Sequence, residues 1–544
     1  MVVTRRLDNG EVVCHQDANT LIPLIEAADA VIGHNLISFD SRVLQTSWGL
    51  TIPHCKMVDT LVLSRLELPD RKGGHSLESW GERFGLKKSD YKALYIEFMT
   101  ANYPGYQHTE CEEWDKPQLD IMKDYCIQDT AVTERLYNYI VKQLDKQGFS
   151  EQSIQLEHDV ARIIAEQEAT GVYVDFKAMT ELYTTIHDEY SALYKKLEES
   201  FPPTEVVLKT KTKYVPFNPG SRQQIIDRLQ QKGWKPTRFT EKNNPILDDA
   251  ELETIDLPEA KLFARLFLLN KRYSQIKQWM QAMKSDGRVH GKVSSCGAVT
   301  GRMTHFSPNM AQVPANDAPF GAECRALFTV PHGKKLVGID ASGLELRMLA
   351  HYMRDDEYTQ EVVDGDVHTK NQQAAGLATR PQAKTFIYAF LYGAGAEKIG
   401  SIVGGGAKEG RKLIDDFLNA TPALQTLRTK VARMSLKGSL PGLDGRRLHV
   451  REAHAALNTL LQGAGAIVMK QALVLFDEAI KEHGYDAKFV LNVHDEWQLE
   501  CSTQDAEAVG KTGVECIAAA AILLGMRVPL TGEYRIGNNW SETH

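Results

Sequence analysis

The segment FVLNVHDEWQLE, residues 489–500, places Asp495 and Glu496 side by side where the pattern predicts a buried β-strand. Adjacent carboxylates repel each other, and burying either one without a partner is costly. A second predicted strand, KKLVGID, ends at Asp340, and ligands of α/β structures gather at such strand ends. If the two strands are neighbours, Asp340 and Asp495 can share two divalent cations, an arrangement that stabilises in-line phosphoryl displacement. Carboxylates suit Mg²⁺, which takes its remaining ligands from water and substrate phosphates.

The stretch TRPQAKTFIYAFLYGAG, residues 379–395, predicts a helix with one chemically active face. Arg380, Lys384, Tyr388 and Tyr392 recur every four residues, so they fall within a stripe ~120° wide. Arginine binds phosphate bidentately, lysine acts as a point charge, and an aromatic ring stacks on a sugar or base. That face suits a nucleoside triphosphate. The neighbouring arc is predicted to pack in the core and consists of Ala383, Phe386, Ile387, Phe390 and Leu391.

Each of these patterns also has a structural explanation. Asp340 could cap the helix that the sequence predicts from Leu344, and Asp495 with Glu496 could form a turn at the end of a strand. The helix could present a solvated basic face with tyrosines at the edge of the core. The residues by themselves leave these alternatives open.

The composition is that of an ordinary soluble globular protein. The chain has 544 residues, 43% hydrophobic and 25% charged, which predicts two to four domains. A net charge of −8 argues weakly against a wholly basic nucleic-acid binder, although charge distribution matters more than its sum. The eight cysteines form no CxxC pair, so neither a zinc site nor a disulfide framework is indicated. No stretch suggests a membrane span, and we expect a soluble, intracellular protein.

The elements that must position these residues follow from the pattern along the chain. Residues 1 to about 145 alternate short apolar strands with helices, which favours an α/β region. A helix from about residue 151 ends at Gly171, and a mostly helical stretch to about 284 contains a new helix that starts at Ser221. After about residue 290, strands bracket a block of helices over roughly 355–480.

Together the three stretches resemble a known enzyme family. DASGLELR, RPQAKTFIYAFLYG and VHDE are similar to motifs A, B and C of the family A (DNA polymerase I-like) DNA polymerases, in the same order. The sequences of these motifs most resemble those of phage replicative enzymes of the branch that uses host thioredoxin. The resemblance extends over GAVTGRMTHFSPNMAQVP (297–314), DVHTKNQ (366–372) and LNTLLQGAGA (457–466).

The resemblance implies a two-metal site. Asp340 and Asp495 would ligate two Mg²⁺ ions, with Mn²⁺ as a substitute, and the carbonyl of Ala341 would assist. Lys384 and Glu496 would join the two aspartates as catalytic groups, with Glu496 secondary.

The resemblance also implies how substrates are held. Glu345 would block a ribose 2′-OH and so select deoxynucleotides. Three residues would grip the triphosphate, and these are Arg380, Lys384 and His368. Tyr388 would pack by the sugar and Tyr392 near the templating base. Three further residues would read the primer-template minor groove or hold the primer end, and these are Arg302, Gln462 and His494.

The N-terminal region resembles a DEDD-type 3′–5′ exonuclease. IGHNLISFD supplies Asn35 and Asp40, and YCIQD supplies Tyr125 and Asp129, while VDTLVLSRL also fits. The D-x-E strand that opens this family does not precede VIGHN. Either the chain is truncated or the domain has lost its first strand, so we expect weak or absent proofreading. Without those ligands, Asp40 and Asp129 could be solvated or salt-bridged residues.

The segment FPPTEVVLKTKTKYVPFNPGSR leaves room for only a short loop where thioredoxin-using relatives carry a long basic insertion. We therefore expect no thioredoxin dependence, with Lys209, Lys211 and Lys213 touching duplex phosphates. A solvated lysine loop is the alternative. The expected partners are primer-template DNA, deoxynucleoside triphosphates, and a phage helicase-primase and single-strand binding protein, in the cytoplasm of an infected bacterium.

The resemblance implies a multidomain α/β fold in which an RNase H-like exonuclease domain precedes a right-hand polymerase. The predicted divisions are residues 1–150 (exonuclease-like), 151–284 (polymerase N-terminal part and thumb), 285–352 (first part of the palm), 353–457 (fingers) and 458–544 (second part of the palm). Two rival functions are a single-subunit RNA polymerase, which Glu345 and the exonuclease-like region oppose, and a non-catalytic DNA-binding replication protein.

Overall fold

The computed structural model describes residues 1–86, 90–207, 212–240 and 242–544. The chain forms two compact units. The larger unit comprises Met1–Thr170, Lys292–Phe306 and Val337–Ile536, and the smaller one comprises Gly171–Gly291, Ser307–Leu336 and Gly537–His544. Strands and helices are numbered below in chain order.

The first part of the larger unit alternates short strands with helices, as the sequence predicts. Its elements are β1 (Val2–Arg5), β2 (Val12–His15), α1 (Ala18–Ala27), β3 (Val31–Gly33), a π-helical turn (Leu36–Asp40), α2 (Ser41–Trp48), β4 (Met57–Asp59), α3 (Thr60–Glu67), α4 (Leu77–Phe84), α5 (Tyr91–Asn102), α6 (Glu112–Asp115), α7 (Leu119–Gln147) and α8 (Glu151–Thr170). β1 pairs antiparallel with β2, and β3 pairs parallel with β4. Gly171 follows α8, so the predicted end of that helix is confirmed.

The smaller unit is mostly helical, which confirms the prediction for this part of the chain. It contains β5 (Val172–Val174), α9 (Phe176–Ser200), β6 (Thr204–Val207), β7 (Thr212–Val215), α10 (Arg222–Gln231), α11 (Asp249–Thr254), α12 (Pro258–Ala282), β8 (Arg288–Val289), α13 (Gly321–Ala326) and β11 (Phe328–Thr329). Ser221 caps α10, since its side chain accepts a hydrogen bond from the Gln224 N–H. Lys209 and Lys211 lie outside the described residues, whereas Lys213 lies in β7 with an exposed side chain.

The second part of the larger unit starts with the hairpin of β9 (Lys292–Ser294) and β10 (Thr304–Phe306). Its other elements are β12 (Lys334–Ala341), α14 (Leu344–Met353), α15 (Asp356–Val363), α16 (Val367–Ala375), α17 (Arg380–Leu391), α18 (Ala396–Ser401), α19 (Ala407–Ala420), α20 (Pro422–Ser435), β13 (Ser439–Pro441), β14 (Arg447–His449), α21 (Ala456–His483), β15 (Ala487–Val493), β16 (Glu496–Ser502), α22 (Ala506–Leu523) and β17 (Gly532–Gly537). The predicted helical block is thus confirmed, apart from the β13–β14 hairpin within it.

A four-stranded sheet, called the central sheet below, has the order β15-β16-β12-β17. The prediction of one strand over residues 489–500 is wrong, because β15 and β16 form an antiparallel hairpin in which Val493 pairs with Glu496. His494 and Asp495 make the two-residue turn, and His494 has a φ of 59°. Two-residue hairpin loops require positive φ values, which usually call for Gly or Asn. The sequence has neither at this turn, so the apolar pattern continues across it.

Helix α21 forms much of the core against the central sheet. Residues Ala453–His483 are long and apolar enough to span a membrane by length and composition, with a mean hydropathy of 1.4 over the most apolar window. Sequence reasoning did not single out this helix. However, 89% of that window is buried inside the protein, which accounts for its apolar composition.

Candidate active site

The backbone of the central sheet brings the segments that carry the two predicted aspartates together. β12 and β16 are neighbours, and the Ala341 N–H donates a hydrogen bond to the carbonyl oxygen of Asp495 over 3.2 Å. Asp340 immediately precedes Ala341 in β12, and its side chain is exposed. Asp340, in β12, and Asp495, in the turn before the neighbouring strand β16, are 155 positions apart in the chain but close in the backbone.

The alternative explanations given above for these acids, a helix cap and a turn, agree with the structure to different degrees. The residue that caps α14 is Gly343, with a φ of 60°, so Asp340 is not its N-cap. Asp495 does lie in a turn, as that alternative required. Glu496 is the first residue of β16, is only 4% exposed, and accepts a hydrogen bond from the Gln498 amide over 2.6 Å. Glu496 thus faces the interior and not the open edge.

The electrostatic surroundings of Asp495 favour a positive ligand. Burial and the like charge of Glu345 raise the pKa of the Asp495 carboxyl, while Arg302 and His494 act in the opposite direction. The net effect is still a raised pKa, so the nearby protein cations do not fully compensate the carboxylate. A bound cation would complete that compensation.

Glu345 connects three elements in front of the central sheet. It lies in the first turn of α14, and its Oε1 accepts hydrogen bonds from Arg302 Nη2 at 3.0 Å and from the Tyr392 hydroxyl at 3.2 Å. Burial together with the Glu345 charge raises the pKa of Tyr392 to about 12. The pKa of Tyr388 is also raised by burial, by Glu345 and by Asp495. Both tyrosines of α17 therefore lie close to the carboxylates.

The predicted faces of α17 are confirmed. A capping box of Thr379 and Gln382 starts the helix. Arg380, Lys384 and Tyr392 are exposed and Tyr388 is half-buried. The predicted core residues are all buried, and these are Ala383, Phe386, Ile387, Phe390 and Leu391. A solvated basic face explains Arg380 and Lys384 but not the Tyr392 bond to Glu345.

Arg380 has a partner that sequence reasoning missed. Its guanidinium forms two hydrogen bonds with the carboxylate of Asp366, from Nε to Oδ2 at 2.9 Å and from Nη2 to Oδ1 at 3.1 Å. This contact holds the pKa of Asp366 well below its usual range. Asp366 could have been recognised in the sequence, because it is the first residue of the DVHTKNQ segment. Its pairing with a residue 14 positions later depends on how α16 and α17 pack.

His368 joins the same cluster. Its ring centroid lies 6.3 Å from that of Tyr388. Burial, and then the charges of Arg380 and Lys384, lower the pKa of His368. Four of the predicted nucleotide-binding residues are thus neighbours.

A cavity opens next to the Asp495 turn. Among the residues that line it are Arg302 and His494, both predicted, and Lys470 and Asn492, which sequence reasoning missed. Lys470 is only 2% exposed and lies in the apolar stretch GAGAIVMK of α21, where a buried lysine is unusual. Gln462 lies on the same helix, half-buried, one turn before Ala466 of the cavity lining.

The oxygen donors at this edge fit a hard divalent cation. The carboxylates of Asp340 and Asp495 and the carbonyl of Ala341 are the donor types that Mg²⁺ accepts, with its other positions filled by water or substrate. No group of three or more His, Cys, Asp or Glu side chains that could hold a metal ion occurs in the part of the chain that the structure describes.

The exonuclease-like residues also cluster. Asn35 precedes the π-helical turn with a φ of 65°, and Asp40 ends that turn. Tyr125 and Asp129 lie one turn apart on α7. Burial and the carboxylates of Asp59 and Asp129 raise the pKa of Asp40 to about 6.

Asp59 was missed as a separate residue, although VDTLVLSRL contains it. Its carboxylate accepts hydrogen bonds from the N–H groups of Asn35 at 2.8 Å and Ile37 at 3.1 Å. Its own N–H donates to Nε2 of His158 on α8 over 3.0 Å. Asp59 therefore has a structural part in holding the loop that leads to Asp40.

Comparison with known proteins decides the family. The model of DNA polymerase family A matches residues 180–542. A DNA-directed DNA polymerase of Enterobacteria phage T3 is 35% identical over 96% of this chain and 93% of its own. A DNA-directed DNA polymerase of Escherichia phage T7 is 35% identical over 92% of this chain and 90% of its own. The chain belongs to DNA polymerase family A. The predicted family is confirmed, the protein is a DNA-directed DNA polymerase, and both of these relatives are phage proteins.

The fold of the polymerase agrees with this assignment. A solved structure described as the POL domain of Pol1 from M. smegmatis, in complex with DNA primer-template and dNTP, matches with a TM-score of 0.78. The match covers 96% of this chain and 88% of that one at 20% identity. The mixed α/β prediction is confirmed at this level.

Proposed function

We propose that the polymerase extends a primer 3′-OH on a DNA template with deoxynucleoside triphosphates, using two Mg²⁺ ions held by Asp340, Asp495 and the Ala341 carbonyl. Members of the family generally use divalent metal ions. The supporting observation is the hydrogen bond between Ala341 and Asp495, which joins the two carboxylate strands next to α17. Bound ions would lower the pKa of the primer hydroxyl and neutralise charge that develops on the triphosphate.

The triphosphate is held by the cationic end of α17. Lys384 is exposed on this face, and His368 is next to it with a lowered pKa. The Asp366 carboxylate holds the Arg380 guanidinium in a fixed orientation. A guanidinium has five N–H donors, so Arg380 can keep this contact and donate to a phosphate. Tyr388 packs against the sugar, and Tyr392 lies near the templating base.

Deoxynucleotide selection rests on Glu345. Arg302 and Tyr392 both bond its Oε1, so the side chain is fixed from two sides. A fixed carboxylate beside the sugar position excludes a 2′-OH sterically. Arg302, Gln462 and His494 contact the primer-template at the minor groove or the primer end.

The division into domains remains our proposal. Residues 1–150 form an exonuclease-like domain, 151–284 the polymerase N-terminal part and thumb, 285–352 and 458–544 the two parts of the palm, and 353–457 the fingers. Lys213 contacts duplex phosphates. The enzyme acts in the cytoplasm of an infected bacterium without thioredoxin, alongside a helicase-primase and a single-strand binding protein of the phage.

A primer-extension assay tests this function. With a 5′-labelled primer-template, Mg²⁺ and the correct next dNTP, we expect a product one nucleotide longer. Asp495→Asn should abolish the product while DNA binding, measured by fluorescence anisotropy, is retained. Preferential use of the ribonucleotide would support an RNA polymerase instead. Binding without extension by the unchanged protein would support a non-catalytic replication protein.

Proofreading is tested by leaving out nucleotides. We propose that 3′–5′ degradation is weak or absent. A 5′-labelled single strand incubated with Mg²⁺ should remain intact over the time in which extension is complete. Rapid shortening that Asp129→Asn abolishes would show an active exonuclease.

A further inference from the structure

Four buried charges form a network behind the active site. Glu157 of α8 is 0% exposed, and Asp444, Arg446 and Lys470 are each 2% exposed. Glu157 Oε1 accepts hydrogen bonds from Arg446 Nη1 at 2.5 Å and from the Lys470 ammonium. Arg446 also donates to Asp444, with 2.6 Å from Nη2 to Oδ2. We call these four residues the buried quartet.

The buried quartet pairs two acidic with two basic side chains. Burial by itself would raise the pKa of Glu157, but Lys470 and Arg446 outweigh it and hold the pKa below its ordinary value. Desolvating four charges is expensive, and well-packed apolar residues would often stabilise a core as well or better. A role in fixing one arrangement of the surrounding elements explains the network better than stability does.

The element that rests on the quartet is the turn that contains Arg302. At Gly301, where φ is 74°, a Cβ atom would lie 3.4 Å from Arg446 Nη1, so the turn passes directly over this guanidinium. The turn closes on itself, since the N–H groups of Gly297 and Ala298 both donate to the Arg302 carbonyl. The position of the turn on Arg446 therefore sets the position of the Arg302 backbone.

The quartet also reaches the active site through Lys470, which lines the same cavity as Arg302 and Asp495. The Arg302 side chain bonds Glu345 at 3.0 Å and acts on the charge of Asp495. Displacement of the turn would consequently change the contact of Arg302 with both carboxylates.

We propose that the buried quartet, with Glu157 at its centre, is a positioning device that seats the Gly297–Arg302 turn and thereby orients Arg302 toward Glu345 and Asp495. Glu157 acts through Arg446 and touches no substrate. This inference rests on the proposed function of the same site, and it adds residues remote in sequence to the machinery of nucleotide addition.

The test is Glu157→Gln, which keeps the side-chain volume and removes the charge. Because the quartet supports Arg302 and not α17, we expect kcat for the correct dNTP to fall about tenfold, the loss of one charged hydrogen-bond partner, with KM changed less than about twofold. Arg446→Lys, which keeps the charge and loses the fork geometry, should show the same split to a smaller degree.

A matched control is available on the same two helices. Arg162 of α8 pairs with Asp477 of α21 over 2.5 Å, and Asp477 is 5% exposed. Asp477→Asn should lower the melting temperature as Glu157→Gln does, yet leave kcat within about twofold. An equal loss of kcat in both variants would overturn the proposal, since the effect would then follow stability.

A double-mutant cycle with Arg302→Ala decides whether Glu157 acts through Arg302. We expect Glu157→Gln to have little further effect on kcat in the Arg302→Ala background. If the loss of kcat in the double variant instead equals the product of the two single losses, the proposal is overturned. If Glu157→Gln does not fold, Arg446→Lys takes its place in the cycle. Failure of the unchanged protein to extend a primer would count against the proposed function, whereas extension with a multiplicative cycle would count only against the positioning role.

Discussion

Two regions of the larger unit gather carboxylates, and their surroundings differ. The charged groups that raise the pKa of Asp40 in the exonuclease-like region are themselves carboxylates, Asp59 and Asp129. Asp495 also has a carboxylate neighbour, Glu345, but Arg302 and His494 oppose its effect. The charged neighbours of Asp40 and Asp495 therefore differ in sign, although basic groups also occur in the first region, where His158 acts on Asp59.

The two regions also use their carboxylates differently. Asp59 accepts hydrogen bonds from backbone N–H groups on the loop that leads to Asp40, so its side chain holds that loop in place. Asp340 and Asp495 stand at the edge of a four-stranded sheet, where β12 and the β15–β16 turn meet. The hydrogen bond from the Ala341 N–H to the Asp495 carbonyl oxygen joins the backbone at that edge.

The largest expected effect comes from replacing one aspartate by asparagine in each of the two regions and comparing the two variants. Asp340→Asn should reduce single-nucleotide extension by about 10³-fold or more, because a metal ion supplies several kcal/mol of charge stabilisation. Asp40→Asn should leave extension within about twofold. Single-turnover rates on one primer-template measure both variants. Similar losses of extension rate in the two variants would show that the two regions do not differ in their part in extension.

A smaller effect is expected at Glu345. Glu345→Ala removes the carboxylate that Arg302 and Tyr392 hold, so the preference for dNTP over rNTP should fall about 10–100-fold, the range of a lost charged contact. Competition between a dNTP and the matching rNTP measures the ratio. Glu357→Ala, which removes an exposed carboxylate paired with Lys370, serves as the control and should leave the ratio unchanged. An unchanged ratio in Glu345→Ala would assign sugar selection to another residue.

The smallest effect concerns stability and pH. The folded pKa of Asp40, about 6, exceeds the ordinary value of 3.8. The stability that this group contributes is therefore complete below its unfolded pKa and is lost as the pH rises through about 6. A shift of this size is worth up to ~3 kcal/mol, which the exposure of the Asp40 carboxylate reduces to about 1 kcal/mol.

Asp40→Asn should accordingly raise the melting temperature by about 2 °C near pH 8 in the presence of EDTA. The gain should shrink as the pH is lowered toward about 5, where the folded protein already binds the proton. Differential scanning fluorimetry at several pH values measures the trend. A gain that is independent of pH would show that Asp40 is not the titrating group.

Local patterns predicted the parts of the site that depend on one element. The four-residue spacing of α17 correctly separated the exposed residues from Phe386, Ile387 and Leu391 in the core. The strand that ends at Asp340 was equally evident. The turn at His494 and Asp495 was not, because its positive φ is set by the pairing of β15 with β16 and not by a turn-forming residue.

Charged partners that come from distant parts of the chain could not be predicted from the sequence either. Asp366 holds Arg380 through the contact of α16 with α17, and Lys470 meets Glu157 across 313 positions of the chain. Charge type and spacing suggest that a residue does chemistry. They do not reveal which opposite charge it meets, since that depends on how the helices pack.

Two consecutive residues of α8 contact different parts of the protein. Glu157 binds Arg446 and Lys470, while Nε2 of His158 accepts the Asp59 N–H. Because successive helical residues are rotated by about 100° about the helix axis, a single insertion or deletion within α8 before position 157 would break both contacts at once. Chimaeras of this enzyme should consequently keep α8 at its present length, so that Glu157 and His158 both stay in register with their partners.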